Sequence, residues 1–165
     1  MRVTEKLAIA GMIAFGCRHP AAHAAWSGFD QPVGRLCSFG SPLHDRYAAA
    51  IISGRFEPGF GRAKPIYSLV FTADDGTPEI MQLGITVDER DVARFDAVSH
   101  VPASPGASAV VPLDTEIVAT LFRAADNGKV LHIQVPAARS SYDFDLTGFS
   151  TAADAFTDCM LRNIP

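Results

Sequence analysis

Three stretches of the chain alternate apolar and polar side chains with a period of two residues, at 79–88, 129–136 and 141–148. This period places successive side chains on opposite faces of an extended backbone, so each stretch predicts a β-strand with one buried face. The side chains expected to face the core are Met81, Leu83, Ile85, Val87, Leu131, Ile133, Val135, Tyr142, Phe144 and Leu146.

Another strand is predicted at 65–73, where β-branched and aromatic residues are frequent. The turn residues Asp74, Asp75 and Gly76 follow it, so we expect a β-hairpin across 65–88. Residues 94–101 are consistent with one more strand. Residues 102–108 hold two prolines and a glycine and predict a loop.

Two short helices are predicted toward the C-terminus. Asp114 or Thr115 can cap the first one, and Asn127-Gly128 is expected to stop it in a left-handed conformation. Ser150 or Thr151 is expected to cap the second. Its expected inner face consists of Ala152, Ala155, Phe156 and Cys159. The order of elements predicts an α+β, mainly β fold: an antiparallel sheet or small β-sandwich with two short helices toward the C-terminus.

The first 24 residues have the pattern of a secretion signal. Arg2 and Lys6 precede an uncharged apolar run at 7–16, and Ala22-His23-Ala24 offers small residues for signal peptidase. The apolar run is too short to span a bilayer permanently. We therefore expect a signal peptide at 1–24 and a single exported globular domain at 25–165, periplasmic or secreted. Cys17 leaves a lipid-anchored envelope factor as an alternative, because residues 14–17 loosely resemble a lipobox.

Charge and cysteine content narrow the expected partners. The sequence has 14 Lys and Arg against 18 Asp and Glu, a net charge of −4, and the predicted cleavage removes more basic than acidic residues. An acidic domain of this kind argues against nucleic acid and anionic lipid as partners. Cys37 and Cys159 remain after cleavage, and in an oxidising compartment they are expected to form a structural disulfide.

No pattern for catalysis, a cofactor or a metal emerges from the sequence. A G-x-S-x-G motif is absent, as are paired histidines at helical spacing and CxxC steps. The carboxylates of Asp143 and Asp145 lie on one strand face without a calcium-loop pattern. We therefore expect no enzyme activity and no cofactor. An envelope hydrolase or enzyme inhibitor is kept as an alternative, with His100 or His132 near Asp143.

One segment, at 54–64, combines basic, aromatic and glycine residues in a way that suits a partner-binding loop. The residues proposed to contact a partner are Arg55, Phe56, Phe60, Arg62 and Lys64. The structural alternative is that Phe56 and Phe60 fold back on the core. The expected function is thus a non-enzymatic interaction protein whose partner is another protein or an envelope component.

The C-terminal part resembles a known family. An amphipathic helix at 117–125 leads into a strand at 130–135, and Leu146-Thr147-Gly148-Phe149 then opens a helix at 151–161. In this order the region resembles the invasion-associated locus B family of alphaproteobacterial periplasmic proteins. The resemblance implies a secreted, mostly β protein acting at the envelope or the host surface, and it supplies no catalytic residues.

Overall fold

The molecule is built from short antiparallel strands and two helices. The computed structural model describes residues 26–30, 35–43, 48–57, 63–73, 80–102, 107–136 and 139–165. The described residues form two helices, α1 (Thr115–Asp126) and α2 (Phe149–Arg162). Their strands are β1 (Ser27–Asp30), β2 (Cys37–Leu43), β3 (Ala48–Glu57), β4 (Lys64–Ala73), β5 (Ile80–Val87), β6 (Arg90–Pro102), β7 (Ala107–Leu113), β8 (Val130–Val135) and β9 (Ser140–Asp145).

The strands form one antiparallel sheet in the order β1-β2-β3-β4-β7-β6-β5-β8-β9. The first part of β6 pairs with β5, whereas its last residues, from His100 to Pro102, pair with β7. The sheet folds over along β6, as is shown by the rings of Phe71 in β4 and Tyr142 in β9, which lie 5.0 Å apart. Strands β1, β2, β3, β4 and β7 form a first half-sheet that faces a second half-sheet of β5, β6, β8 and β9. The predicted fold class, mainly β with two C-terminal helices, is confirmed.

The predicted hairpin across 65–88 is wrong, although both of its strands exist. Strand β4 pairs with β3 and β7, and β5 pairs with β6 and β8. The two strands therefore lie in different half-sheets, joined by the segment between Ala73 and Ile80. The predicted loop at 102–108 also ends too late, because β7 begins at Ala107.

The alternating stretches place their apolar side chains inward as predicted. Leu83, Ile85 and Val87 of β5 are each 1% exposed, and the six residues predicted to face inward between 131 and 146 are buried as well. The side chain of Met81 lies outside the described part of the chain. A hydrogen bond links the turn after β5 to β8, since the Asp88 carboxylate accepts from the backbone N–H of Val130 at 3.0 Å. The acidic turn after β5 is thus a structural device that holds β8.

The first helix begins as predicted but ends differently from the expectation. Asp114 caps α1, since its Oδ1 accepts from the backbone N–H of Ile117 at 2.7 Å. Asn127 ends α1 with φ of −118°, so the predicted left-handed stop is wrong. Gly128 is needed there for space, because a Cβ would collide with Val87.

Helix α2 starts at Phe149, directly after Gly148, which takes a left-handed conformation with φ of 81°. Neither Ser150 nor Thr151 is the cap, because the turn at Gly148 brings Phe149 into the core as the first helical residue. Ala155 is exposed, contrary to the expected inner face. The buried residues of α2 are Phe149, Ala152, Ala153, Phe156 and Met160.

An aromatic cluster joins the helices to both half-sheets. Ring centroids 4.9–6.3 Å apart link its members. These are Trp26, Phe39, Phe122, Phe144, Phe149 and Phe156. The indole Nε1 of Trp26 donates to the backbone carbonyl of Asp145 at 2.9 Å, so the start of β1 is bound to the end of β9. Among the described residues no helix is long and apolar enough to cross a membrane.

Candidate interaction site

Strands β3 and β4 continue as a two-stranded arm after their neighbours have ended. Strand β2 makes its last pair with β3 at Cys37 and Gly54, and β7 makes its last pair with β4 at Leu113 and Tyr67. Three further pairs join only β3 and β4. They are Arg55 with Ile66, Phe56 with Pro65, and Glu57 with Lys64. We call residues 55–57 and 64–66 the β3–β4 arm; of the predicted 54–64 segment, it contains residues 55–57 and 64.

The two faces of the arm differ in character. Arg55, Glu57 and Lys64 are exposed, whereas Phe56 is half-buried and packs against the core. Of the two aromatic residues predicted as partner contacts, Phe56 therefore follows the structural alternative and supports the arm from within. Phe60 and Arg62 lie outside the described residues. The arm thus presents two cations and one carboxylate to solvent on a chain whose net charge is −4.

The base of the arm packs tightly against α2. A Cβ added at Gly54 would lie 2.7 Å from Cζ of Phe156 and 3.0 Å from Sδ of Met160. Only glycine lets α2 approach β3 this closely, since real Cβ atoms do not show such distances. The position of the arm relative to the helix is consequently fixed by direct contact.

The cysteines predicted to pair do form a disulfide, and it lies beside this base. Cys37 is the register partner of Gly54, and its sulfur is bonded to that of Cys159 in α2. The side-chain amide of Asn163 donates to the carbonyl of Cys159 at 2.9 Å and lies 3.6 Å from both sulfurs. The disulfide and the contact of the Asn163 amide with the sulfur of Cys37 therefore hold the end of α2 near the base of the arm.

A second polar group lies on the outer face of β8 and β9. Nδ1 of His132 lies 2.8 Å from Oδ1 of Asp143, and the hydroxyl of Ser141 donates to the same oxygen at 3.0 Å. The structure thus brings together two of the residues named for a hydrolase. A serine nucleophile requires its hydroxyl to donate to the imidazole, whereas here it donates to the carboxylate. His100 lies in β6, at the register position opposite Ala109 of β7.

Asp143 and Asp145 use their carboxylates for separate hydrogen bonds, Asp143 with side chains and Asp145 with the backbone. Oδ1 of Asp145 accepts from the backbone N–H of Thr147 at 2.7 Å. Over the described ranges, His, Cys, Asp and Glu form no group of three that could hold a metal ion.

Comparison with solved structures finds chains of similar fold. Invasion associated protein B from Bartonella henselae superposes with a TM-score of 0.57 at 18% sequence identity, covering 82% of this chain and 94% of that one. The two chains share a fold. This likeness confirms, at the level of the fold, the resemblance seen in the C-terminal sequence. No family model matches the sequence, and no curated protein matches it significantly.

Sequence reasoning located the segment but not its form. It treated 54–64 as a loop, whereas β3 runs to Glu57 and β4 begins at Lys64. The signal was present in the alternation of Arg55, Phe56 and Glu57, which places charge outward and the ring inward. The likeness to the Bartonella protein also includes the N-terminal half of the chain, because the match extends over most of both chains.

Proposed function

We propose that this chain is an exported, non-enzymatic interaction protein of the cell envelope, and that it contacts a protein or envelope component through the β3–β4 arm. The observation that carries the proposal is the arm itself, a two-stranded extension with Arg55 and Lys64 exposed at its outer face. Arginine is enriched among the residues that carry binding energy at interfaces.

Two findings support an extracytoplasmic location. A disulfide between Cys37 and Cys159 fits an oxidising compartment, because cytosolic thiols are kept reduced. The fold is also that of a protein named for its association with invasion. An N-terminus at Ala25 in the intact mass of the processed chain supports soluble export. A lipid adduct on Cys17 establishes the anchored form instead.

Site-specific cross-linking tests the arm. A photo-reactive amino acid is placed at Lys64 and, as a matched control, at Lys129, an exposed lysine at the start of β8. We expect Lys64 to give a discrete adduct in intact cells and Lys129 to give none. The same adduct should weaken in the Arg55→Ala background. Equal labelling from both positions, or no adduct from Lys64, contradicts the proposal.

A further inference from the structure

Trp26, the first residue that the structure describes, is held in the core by both its side chain and its backbone. It is only 4% exposed. Its indole Nε1 donates to the backbone carbonyl of Asp145 at 2.9 Å, and its backbone N–H donates to the carbonyl of Thr147 at 3.4 Å. Its ring meets that of Phe149 edge-on, with centroids 4.9 Å apart. The chain is therefore fixed in place at the point where β1 begins.

The turn that opens α2 lies directly against the backbone of Trp26. A Cβ added at Gly148 would lie 3.3 Å from the carbonyl oxygen of Trp26 and 3.9 Å from its nitrogen. Gly148 also has φ of 81°, a conformation that residues with a Cβ rarely adopt. The turn at 146–149 thus lets the start of β1 lie close beside α2. This contact excludes another chain from that side of Trp26.

The strand that follows Trp26 is tied to the same helix through the disulfide. Four residue pairs join β1 to β2, and the last of them is Asp30 with Cys37. The sulfur of Cys37 is bonded to that of Cys159 in α2. Strand β1 therefore rests on two elements, β2 and α2, that the oxidised protein holds together.

The predicted cleavage site is very close to this buried residue. The peptide bond that signal peptidase is expected to cut joins Ala24 to Ala25, one residue before Trp26. One residue spans at most about 3.6 Å, so the bond lies no further than that from the nitrogen of Trp26. Proteolysis takes place where the chain is exposed, and a peptidase has to bind residues on both sides of the bond that it hydrolyses. In the folded domain, β9 and α2 already occupy the surroundings of Trp26.

We propose that signal peptidase acts on this chain only before Trp26 enters the core, so that cleavage precedes folding and the completed domain resists the peptidase. The reaction adds water across the amide between Ala24 and Ala25, leaving a carboxylate on the first and an amine on the second. The inference rests on the proposed export and cleavage, and it adds their order. The chain crosses the membrane unfolded, loses residues 1–24, and then completes the sheet and the disulfide.

Cleavage of the purified full-length chain by signal peptidase in mild detergent tests this order. The wild type is folded and oxidised before the peptidase is added. A first variant carries a short glycine–serine spacer between Ala25 and Trp26, which moves the same cleavage site away from an unchanged core. A second variant, Phe149→Asp, places a charge against the ring of Trp26 and releases the segment whether or not the rest of the domain folds. Circular dichroism verifies that the spacer variant melts like the wild type.

Intact mass measures the cleaved fraction and the new N-terminus. We expect both variants to be cut after Ala24, and the folded wild type to be cut at least about a hundredfold more slowly, because cleavage then follows the small fraction of molecules in which Trp26 has left the core.

A folded wild type that is cut as fast as the two variants overturns the inference and leaves the proposed cleavage standing. Cleavage of only one variant also overturns it, because distance from Trp26 and release of Trp26 should each be sufficient. If none of the three chains is cut after Ala24, the predicted cleavage site is wrong and the inference is wrong with it.

Discussion

The disulfide is expected to provide a large share of the stability of this domain. Cys37 and Cys159 are 122 residues apart in the sequence. In the chain-entropy treatment, closing a loop of this length in the unfolded state is worth about 5 kcal/mol at room temperature. Small domains typically have about 5–15 kcal/mol in total. Loss of the bridge should therefore remove a substantial part of the free energy of unfolding.

The perturbation is the double variant Cys37→Ala/Cys159→Ala, compared with oxidised and reduced wild type. Alanine suits Cys37 because that side chain is only 1% exposed. Helix α2 keeps its packing through Phe156 and Met160, and Asn163 keeps its bond to the carbonyl of residue 159. We expect the folded structure to persist, with a loss of about 3–5 kcal/mol and a fall in Tm of about 10–20 °C.

Urea unfolding followed by far-UV circular dichroism measures the change. Intact mass before and after reduction verifies that the wild type carries the bridge. Because the double variant and the reduced wild type lack the same constraint, their free energies of unfolding should agree to within about 1 kcal/mol. A loss below about 1 kcal/mol in both samples would refute the entropic reasoning. It would show that the disulfide does not restrict the unfolded chain as the closure of so long a loop should.

Three further predictions concern the core. Gly54→Ala should lower the free energy of unfolding in urea by about 1–3 kcal/mol, because the added Cβ meets Phe156. At Gly84 the nearest atom is 3.7 Å from an added Cβ, so Gly84→Ala should change stability only through strand propensity. Equal losses from both variants would contradict the packing argument. Ser41→Ala should stabilise the protein by about 1 kcal/mol, because the Ser41 hydroxyl is buried and has no hydrogen-bond partner among the residues that the structure describes. A destabilised variant would show that the hydroxyl has one. Burial raises the pKa of Tyr67 above 10.0, so the unfolded chain loses this proton first and stability should fall above that pH; Tyr67→Phe should reduce this alkaline loss, and an identical pH profile would contradict the assignment.

The sequence predicts burial well and pairing poorly. In β8 the inward positions of Leu131, Ile133 and Val135 follow directly from alternation, because a strand has only two faces. Which strands become neighbours depends instead on contacts between distant parts of the chain. Strand β4 does not pair with β5, the next strand along the chain. It pairs with β7, whose residues, such as Val111 opposite Leu69, complete the core of the first half-sheet.

The candidate site was predicted only in part, because the sequence does not show which distant strands become neighbours. The segment at 54–64 was recognised from its composition, and the pairing of Cys37 with Cys159 from the count of cysteines. The arm depends on where β2 and β7 end relative to β3 and β4, which is again a matter of long-range register. Contact between Gly54 and Phe156 is equally long-range.

Sequence analysis did not predict strand β7, and the burial of its residues shows why. Strand β7 alternates perfectly in space, with Ala109 and Val111 buried and Val110 exposed. Its outward residues are apolar too, so the period of two is invisible in the sequence. Valine favours the extended backbone at exposed positions as well as buried ones, whereas the outward positions of β8, such as His132 and Gln134, are polar. A strand that is apolar on both faces therefore escapes a search for alternation, although its β-branched residues favour the extended backbone.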